Sequence, residues 1–245
     1  FLQKDIDEFG ADKYTIGSEL QHGSSKFYNE VYSRYCKRIG EVASVCKDLL
    51  KKPFDFQKNE SFNIVRKDLP FPASDAQRTD IWRKAIKYAI LKHYMEGDSV
   101  LSKTAINSNQ LDSALERNSE EYVEKWYADY FHNAVQVSTL DEKFALYLNT
   151  ALSEIDPHTA YVAPKDKSFE ALITKKFYGI GVELGQKGLD LYIKRVMHGG
   201  PAYNSGKIKE NDVIRAIADS KGQMQNVRGM APTQVANLIR GEDGT

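Results

Sequence analysis

Cysteine, net charge and long apolar runs are what this chain has least of, and each scarcity narrows its reading. Cys36 and Cys46 are the only two cysteines in 245 residues. Both sit in one strongly helical stretch, where ten residues of helix separate them by about 15 Å. A disulfide tolerates a Cα separation below about 7 Å, so no intrachain bridge is expected and cysteine usage does not fix a redox compartment. The 34 basic and 34 acidic side chains cancel, which leaves no overall field to favour nucleic acid or an anionic membrane. No apolar run approaches the roughly 18 residues of a membrane span, so no transmembrane segment is expected. Five histidines are present, but none pairs with another at i+4 and neither H-E-x-x-H nor C-x-x-C occurs, so neither a metal nor a cofactor is expected.

The ordinary share of apolar residues, 41% against 28% charged, suits one or two packed domains. The helical signal is clearest over residues 24–51. Tyr28, Val31, Tyr32, Tyr35, Ile39, Val42, Cys46 and Leu49 recur there at spacings of three and four. Ser24 or Ser25 can cap its start, and Lys51-Lys52-Pro53 stops it. Residues 53–73 mix three prolines with Phe54, Phe56, Phe62 and Phe71, a composition that predicts an irregular connection pinned by aromatic contacts. Ser74-Asp75-Ala76-Gln77 fits a capping box and opens a second helix with Ile81, Trp82, Ala85, Ile86, Ala89 and Tyr94 inward, ended by Gly97. Helical spacing resumes over 110–134. A second capping box at Thr139–Glu142 then opens a helix with Phe144, Leu148, Leu152 and Ile155 facing in.

From about residue 177 glycines become frequent, and period-two alternation replaces helical spacing. The pattern predicts a strand over Gly179–Leu184, a turn, a return strand over Leu189–Met197, a break at Gly199–Ala202, a third strand over Val213–Ala218 and a short helix over Pro232–Ile239. Mostly helix followed by a mixed region gives an α+β fold.

Two other patterns fail on their contexts. Gly179, Gly181 and Gly185 are spaced G-x-G-x-x-x-G and run into a strand, where a dinucleotide fingerprint needs a helix. Ser44-Val45-Cys46-Lys47 is a literal S-x-x-K, but it lies in mid-helix without the S-D-N and K-T-G partners.

Three segments occur in an order that carries a resemblance. Asp156-Pro157-His158-Thr159-Ala160-Tyr161 comes first, then Tyr178-Gly179-Ile180-Gly181-Val182. The third is Gly199-Gly200-Pro201-Ala202 with Ser205-Gly206 and Asp212-Val213-Ile214, closed by Leu238-Ile239-Arg240-Gly241 and Gly244-Thr245. Together they resemble the tail-specific, or C-terminal-processing, serine protease family, sharply over 154–245 and more softly before that. The resemblance implies a helical N-terminal region over 1–165 and a PDZ domain over 166–245 that lacks its last strand. Asn211 stands where the family usually has glycine, and asparagine tolerates the left-handed backbone that turn needs.

The family cleaves with a serine nucleophile and a lysine base, and both would lie beyond residue 245. No residue here is therefore assigned a catalytic role, and the ends, without an initiator Met and closing on a turn, read as those of a fragment. A PDZ domain binds a chain terminus by β-augmentation, with the carboxylate on a glycine loop. By that resemblance Tyr178, Gly179, Ile180, Gly181 and Val182 would form the loop and edge, while Val235, Leu238 and Ile239 would complete an apolar pocket. Lys175 and Lys176 could draw a carboxylate in at long range.

Expected partners are the C-terminal tails of protein substrates, with an adaptor protein or a second copy as further ones, in a periplasmic or cell-envelope setting. A non-enzymatic PDZ adaptor that binds peptide C termini is the alternative reading. Asp156–Pro164 is expected to be a packed junction with Pro157, His158 and Tyr161 buried, His158 serving as a hydrogen-bonded loop histidine.

Overall fold

A computed structural model describes residues 1–12, 14–66, 68–97, 112–136, 140–163, 178–187, 190–218 and 221–240. The chain folds into two compact units, Phe1–Ala128 and Asp129–Thr245. The division falls inside helix α5 (Ser113–Gln136). The boundary expected at 165/166 lies outside the described residues, as do Lys175, Lys176, Pro164, Thr139 and Gly241–Thr245.

The first unit holds α1 (Gln3–Ala11), α2 (Ile16–Gln21), α3 (Lys26–Leu50), α4 (Asp75–Gly97) and the start of α5. Helix α3 matches the stretch read from periodicity, and of its apolar stripe Tyr28, Val42 and Cys46 are buried. Both cysteines are free, and burial pushes the Cys46 thiol up to about 12. Helices α1 and α2 were not expected. At nine and six residues they are too short to show a periodic face, and most of their stability must come from tertiary contact.

That contact is a fully buried carboxylate. Asp5 on α1 accepts hydrogen bonds from the Leu2 amide at 2.8 Å, from Arg38 Nε and Nη2 at 2.8 and 2.7 Å, and from Arg34 Nη1 at 2.6 Å. Arg38 also reaches Glu41 at 2.8 Å, and Glu41 accepts from Arg78 on α4 at 2.9 Å. The fork of Arg38 holds the Asp5 carboxyl well below the usual carboxylate range, against the opposing effect of burial. Such a group is tolerable inside because four donors replace its water.

Helix α4 starts as read, with the Gln77 amide donating to Ser74 Oγ at 3.2 Å. The reciprocal bond is displaced by one residue, because Gln77 Oε1 accepts from Ala73 rather than Ser74. Residues 53–66 are irregular and do carry ring pairs, Phe54 with Phe56 and Phe62 with Tyr88. Ion pairs reinforce them, since Glu60 meets Arg83 and Lys87, and Lys87 Nζ also donates to the Lys58 carbonyl at 2.8 Å.

The second unit begins with the last two turns of α5, followed by α6 (Leu140–Ile155). Phe144, Leu148 and Leu152 are half-buried, but Ile155 is 77% exposed, contrary to the inward face expected for it. The junction also differs from expectation. Of the three residues expected to be buried, Pro157 and His158 are exposed and Tyr161 is half-buried. Asp156 organises this turn itself, accepting from the His158 amide and the Thr159 hydroxyl. Asn149 then fixes Tyr161 by bonding both its amide and its carbonyl. The turn at 156–159 is held by its own polar groups, so it does not need burial to be ordered; Ala163, at the end of the segment, is buried.

Strands β1 (Val182–Lys187), β2 (Asp190–Val196) and β3 (Val213–Ile214) form an antiparallel sheet in that order. The expected third strand divides at Arg215. Its second part is β4 (Ala216–Ala218), which pairs with β5 (Met224–Asn226) in a separate ribbon. Gly200 leads into a one-turn helix, α7 (Pro201–Ser205), and α8 spans Pro232–Ile239 as read. Leu191, Val227, Met230 and Val235 form the core, with Leu184, Ile214, Ile217 and Ile239 packed against it. Asn211 adopts φ 72°, the left-handed backbone assigned to it in place of glycine. Among the described residues no helix is long and apolar enough to cross a membrane.

Candidate functional site

A cleft of about 290 Å³ lies between the start of β1 and helix α8. Its first wall is Tyr178, Gly179, Ile180, Gly181, Val182 and Leu184, and its second is Ala236, Ile239 and Arg240, with Met197 also lining it. The strand begins three residues later than the alternation suggested. Gly181 has φ 76°, a conformation glycine adopts without a Cβ penalty, so residues 179–181 form a curl ahead of the ladder.

That curl is built by two glycine motifs meeting. A Cβ on Gly181 would stand 3.1 Å from the Gly200 Cα, and one on Gly200 would stand 3.2 Å from the Gly181 Cα. The Met197 amide donates to the Gly181 carbonyl at 2.9 Å, and the Ala202 amide donates to the Ile180 carbonyl at 2.8 Å. The Ile180 and Gly181 carbonyls are thus tied to the segment after β2. Among the described residues, the amides of Gly179, Ile180 and Gly181 donate no hydrogen bond.

Strand β1 pairs only with β2 among the described strands. Glu183 on this strand is bridged by Lys194 at 2.6 Å and Arg195 at 3.3 Å. The Lys194 ammonium holds the Glu183 carboxyl below its ordinary range. Amides that donate to no described acceptor, beside a strand edge with no described partner and an apolar helix face, can take an extended chain that ends in an anion.

Six of the eight residues named from sequence come together here: Tyr178, Gly179, Ile180, Gly181, Val182 and Ile239. Val235 and Leu238 do not line the cleft. Val235 is fully buried in the core, and Leu238 is 40% exposed. The helix turns about 100° per residue, so Ala236 and Arg240, four apart with Ile239 beside them, make the lining face instead. Sequence reading passed over Ala236, Met197, Leu184 and Arg240. The i, i+3, i+4 spacing of 236, 239 and 240 was the available signal.

Sheet, glycine curl and helix define the second unit's α+β part as a PDZ domain. The PDZ family model matches residues 168–245, and the model described as the tail-specific protease N-terminal domain matches residues 1–165. The chain belongs to the tail-specific protease family. It is 26% identical over 248 residues to the tail-specific protease of Haemophilus influenzae, an alignment that takes in 100% of this chain and 33% of that protein. It is also 31% identical over 91 residues to the carboxy-terminal processing protease CtpA of Bacillus subtilis, covering 37% of this chain and 18% of CtpA. A probable CtpA-like serine protease of Staphylococcus saprophyticus is 28% identical over 121 residues, covering 44% and 23%. The chain therefore spans about a third or less of the length of these relatives and corresponds to their N-terminal and PDZ regions.

Proposed function

We propose that this chain is the substrate-recognition portion of a serine endopeptidase that acts on the C-terminal tails of proteins, with peptide hydrolysis carried out by a serine–lysine dyad outside these 245 residues. The observation that carries the reading is the Gly179–Gly181 curl, in which the Ile180 and Gly181 carbonyls are engaged while its three amides donate to no acceptor among the described residues. A terminal carboxylate would take those amides, the tail would extend along β1, and its last side chain would rest on Ile180, Val182, Ala236 and Ile239. The names of the three relatives support a protease parent. A cell-envelope location accords with the periplasmic branch that the order of elements resembles. An adaptor protein or a second copy would be a further partner of the whole enzyme.

Calorimetry with a short peptide ending in valine tests the site. Hydrogen bonds to a charged group contribute about 1.5–3 kcal/mol each. Converting the carboxylate to an amide should therefore weaken binding about tenfold or more. Equal affinity for the acid and the amide would remove the carboxylate site, and tail recognition with it.

A further inference from the structure

The cleft has one wall that is a strand and one that is a helix, and they are held by different means. Strand β1 is fixed by its ladder with β2. Helix α8 is approached through the segment 226–231, and that segment is gripped by the last two turns of α5, nearly a hundred residues away in sequence.

Three contacts make the grip. Asn133, buried to 5% exposure, donates Nδ2 to the Arg228 carbonyl at 2.6 Å and to the Asn226 carbonyl at 3.3 Å. Asp129 Oδ2 accepts from Arg228 Nη1 at 2.7 Å, with side chains 28% and 12% exposed. Gly229, at φ +74°, lies so close to Tyr130 that a Cβ there would stand 2.6 Å from its Cδ2 and 3.1 Å from its Cα.

The gripped segment is a tight turn in its own right. The Arg228 amide donates to Asn226 Oδ1 and the Met230 amide to the Val227 carbonyl, after which Ala231 opens α8. Val227 and Met230 then pack with Val235, so the turn's position sets where α8 stands.

We propose that Asn133, with the Asp129–Arg228 pair, positions α8 for the peptide cleft, so that affinity for a C-terminal tail depends on helix α5. This rests on the cleft being the tail site. None of the three residues lines it; they act through α8. A ligand that needs one placement of α8 binds with an apparent affinity scaled by the fraction of molecules holding that placement. Removing the two Asn133 hydrogen bonds from the grip lowers that fraction. By reciprocity, a bound tail must tighten the grip.

The experiment uses the whole 245-residue chain and a short free-acid peptide ending in valine. Asn133→Ala should keep the wild-type far-UV circular dichroism and bind the peptide about tenfold more weakly. Asp129→Arg should also weaken binding, and adding Arg228→Asp should restore it, which loss of packing alone would not do. In the wild-type chain, peptide should slow amide exchange over residues 129–136 and 226–231, although neither segment touches it.

If the wild-type chain does not prefer the free acid over the amide, the tail-site reading itself fails. If it does, but a folded Asn133→Ala keeps full affinity, or exchange at 129–136 is unmoved by bound peptide, the positioning role is overturned. The exchange arm decides the matter even if a variant fails to fold.

Discussion

The two units bury different kinds of group. In the first, Asp5, Arg38, Arg78 and Lys87 are all less than a tenth exposed, and they sit among the buried apolar residues of α1, α3 and α4. In the second, Asn133 is the one buried polar side chain among the described residues, and the PDZ core is four apolar residues with a few half-buried neighbours. A buried ion pair needs every lone pair and proton matched, and it is lost as a set. A small apolar core depends on shape and volume, and each residue counts singly. The first unit should therefore fail through charge and the second through packing. Trp82 and Trp126, the only tryptophans in the chain, both lie in the first unit, so their fluorescence reports on it, while peptide binding reports on the second.

The largest expected effect separates neighbours on α8. Val235→Asp places a carboxyl where the side chain is fully buried, at a cost on the order of 4–5 kcal/mol. Peptide binding should vanish while the tryptophan unfolding midpoint stays put. Ala236→Asp, one residue on and lining the cleft, should leave stability nearly unchanged and weaken a free-acid peptide about tenfold by like-charge repulsion. If the two variants behaved alike, the division of α8 into a core face and a cleft face would be wrong.

Asp5→Asn probes the other unit. It leaves Arg38 and Arg34 facing a neutral side chain in a buried place, and breaking such a pair costs about 3 kcal/mol or more. Denaturant titration followed by tryptophan fluorescence should show the loss, with peptide affinity in native buffer unaltered. Simultaneous loss of peptide binding would mean that the two units do not fail independently.

This contrast also explains what could be read in advance. Long helices were legible because Tyr28, Val42 and Cys46 repeat at helical spacing, and α8 was legible from Pro232 to Ile239. What holds α1 was not, because Asp5 and Arg38 are 33 residues apart and look like ordinary surface charges until the fold brings them together. In the PDZ part, the glycines and Asn211 marked turns through backbone geometry, which is local and therefore visible. Which residues of α8 face the cleft depends on how the helix is rotated over β1. Rotation is a tertiary property, and it brings Ala236 and Arg240 to the cleft rather than Val235 and Leu238. The Asp156 turn was recognised as a motif, but its exposure was missed, since its hydrogen bonds are made within the turn itself.

The smallest effect is the sharpest test of the charge argument, because it varies one proton rather than one side chain. The Asp5 carboxyl is held low chiefly by Arg38. At Glu41, burial opposes but is outweighed by hydrogen bonds from Arg38 and Arg78, so that group is also lowered. A carboxylate whose folded value lies below its unfolded value, about 3.9 for aspartate, contributes stability that is fully present above roughly pH 5. That contribution is lost as pH falls, because the unfolded chain takes up its proton first. Between pH 6 and pH 3 the share from Asp5 should fall by about 1 kcal/mol. Asp5→Asn has no such proton to bind. The gap in stability between wild type and Asp5→Asn, measured by tryptophan fluorescence, should therefore narrow by about 1 kcal/mol over that interval. A gap that stays constant with pH would show that Asp5 holds α1 by shape and neutral hydrogen bonding, and the distinction drawn between the units would lose its electrostatic half.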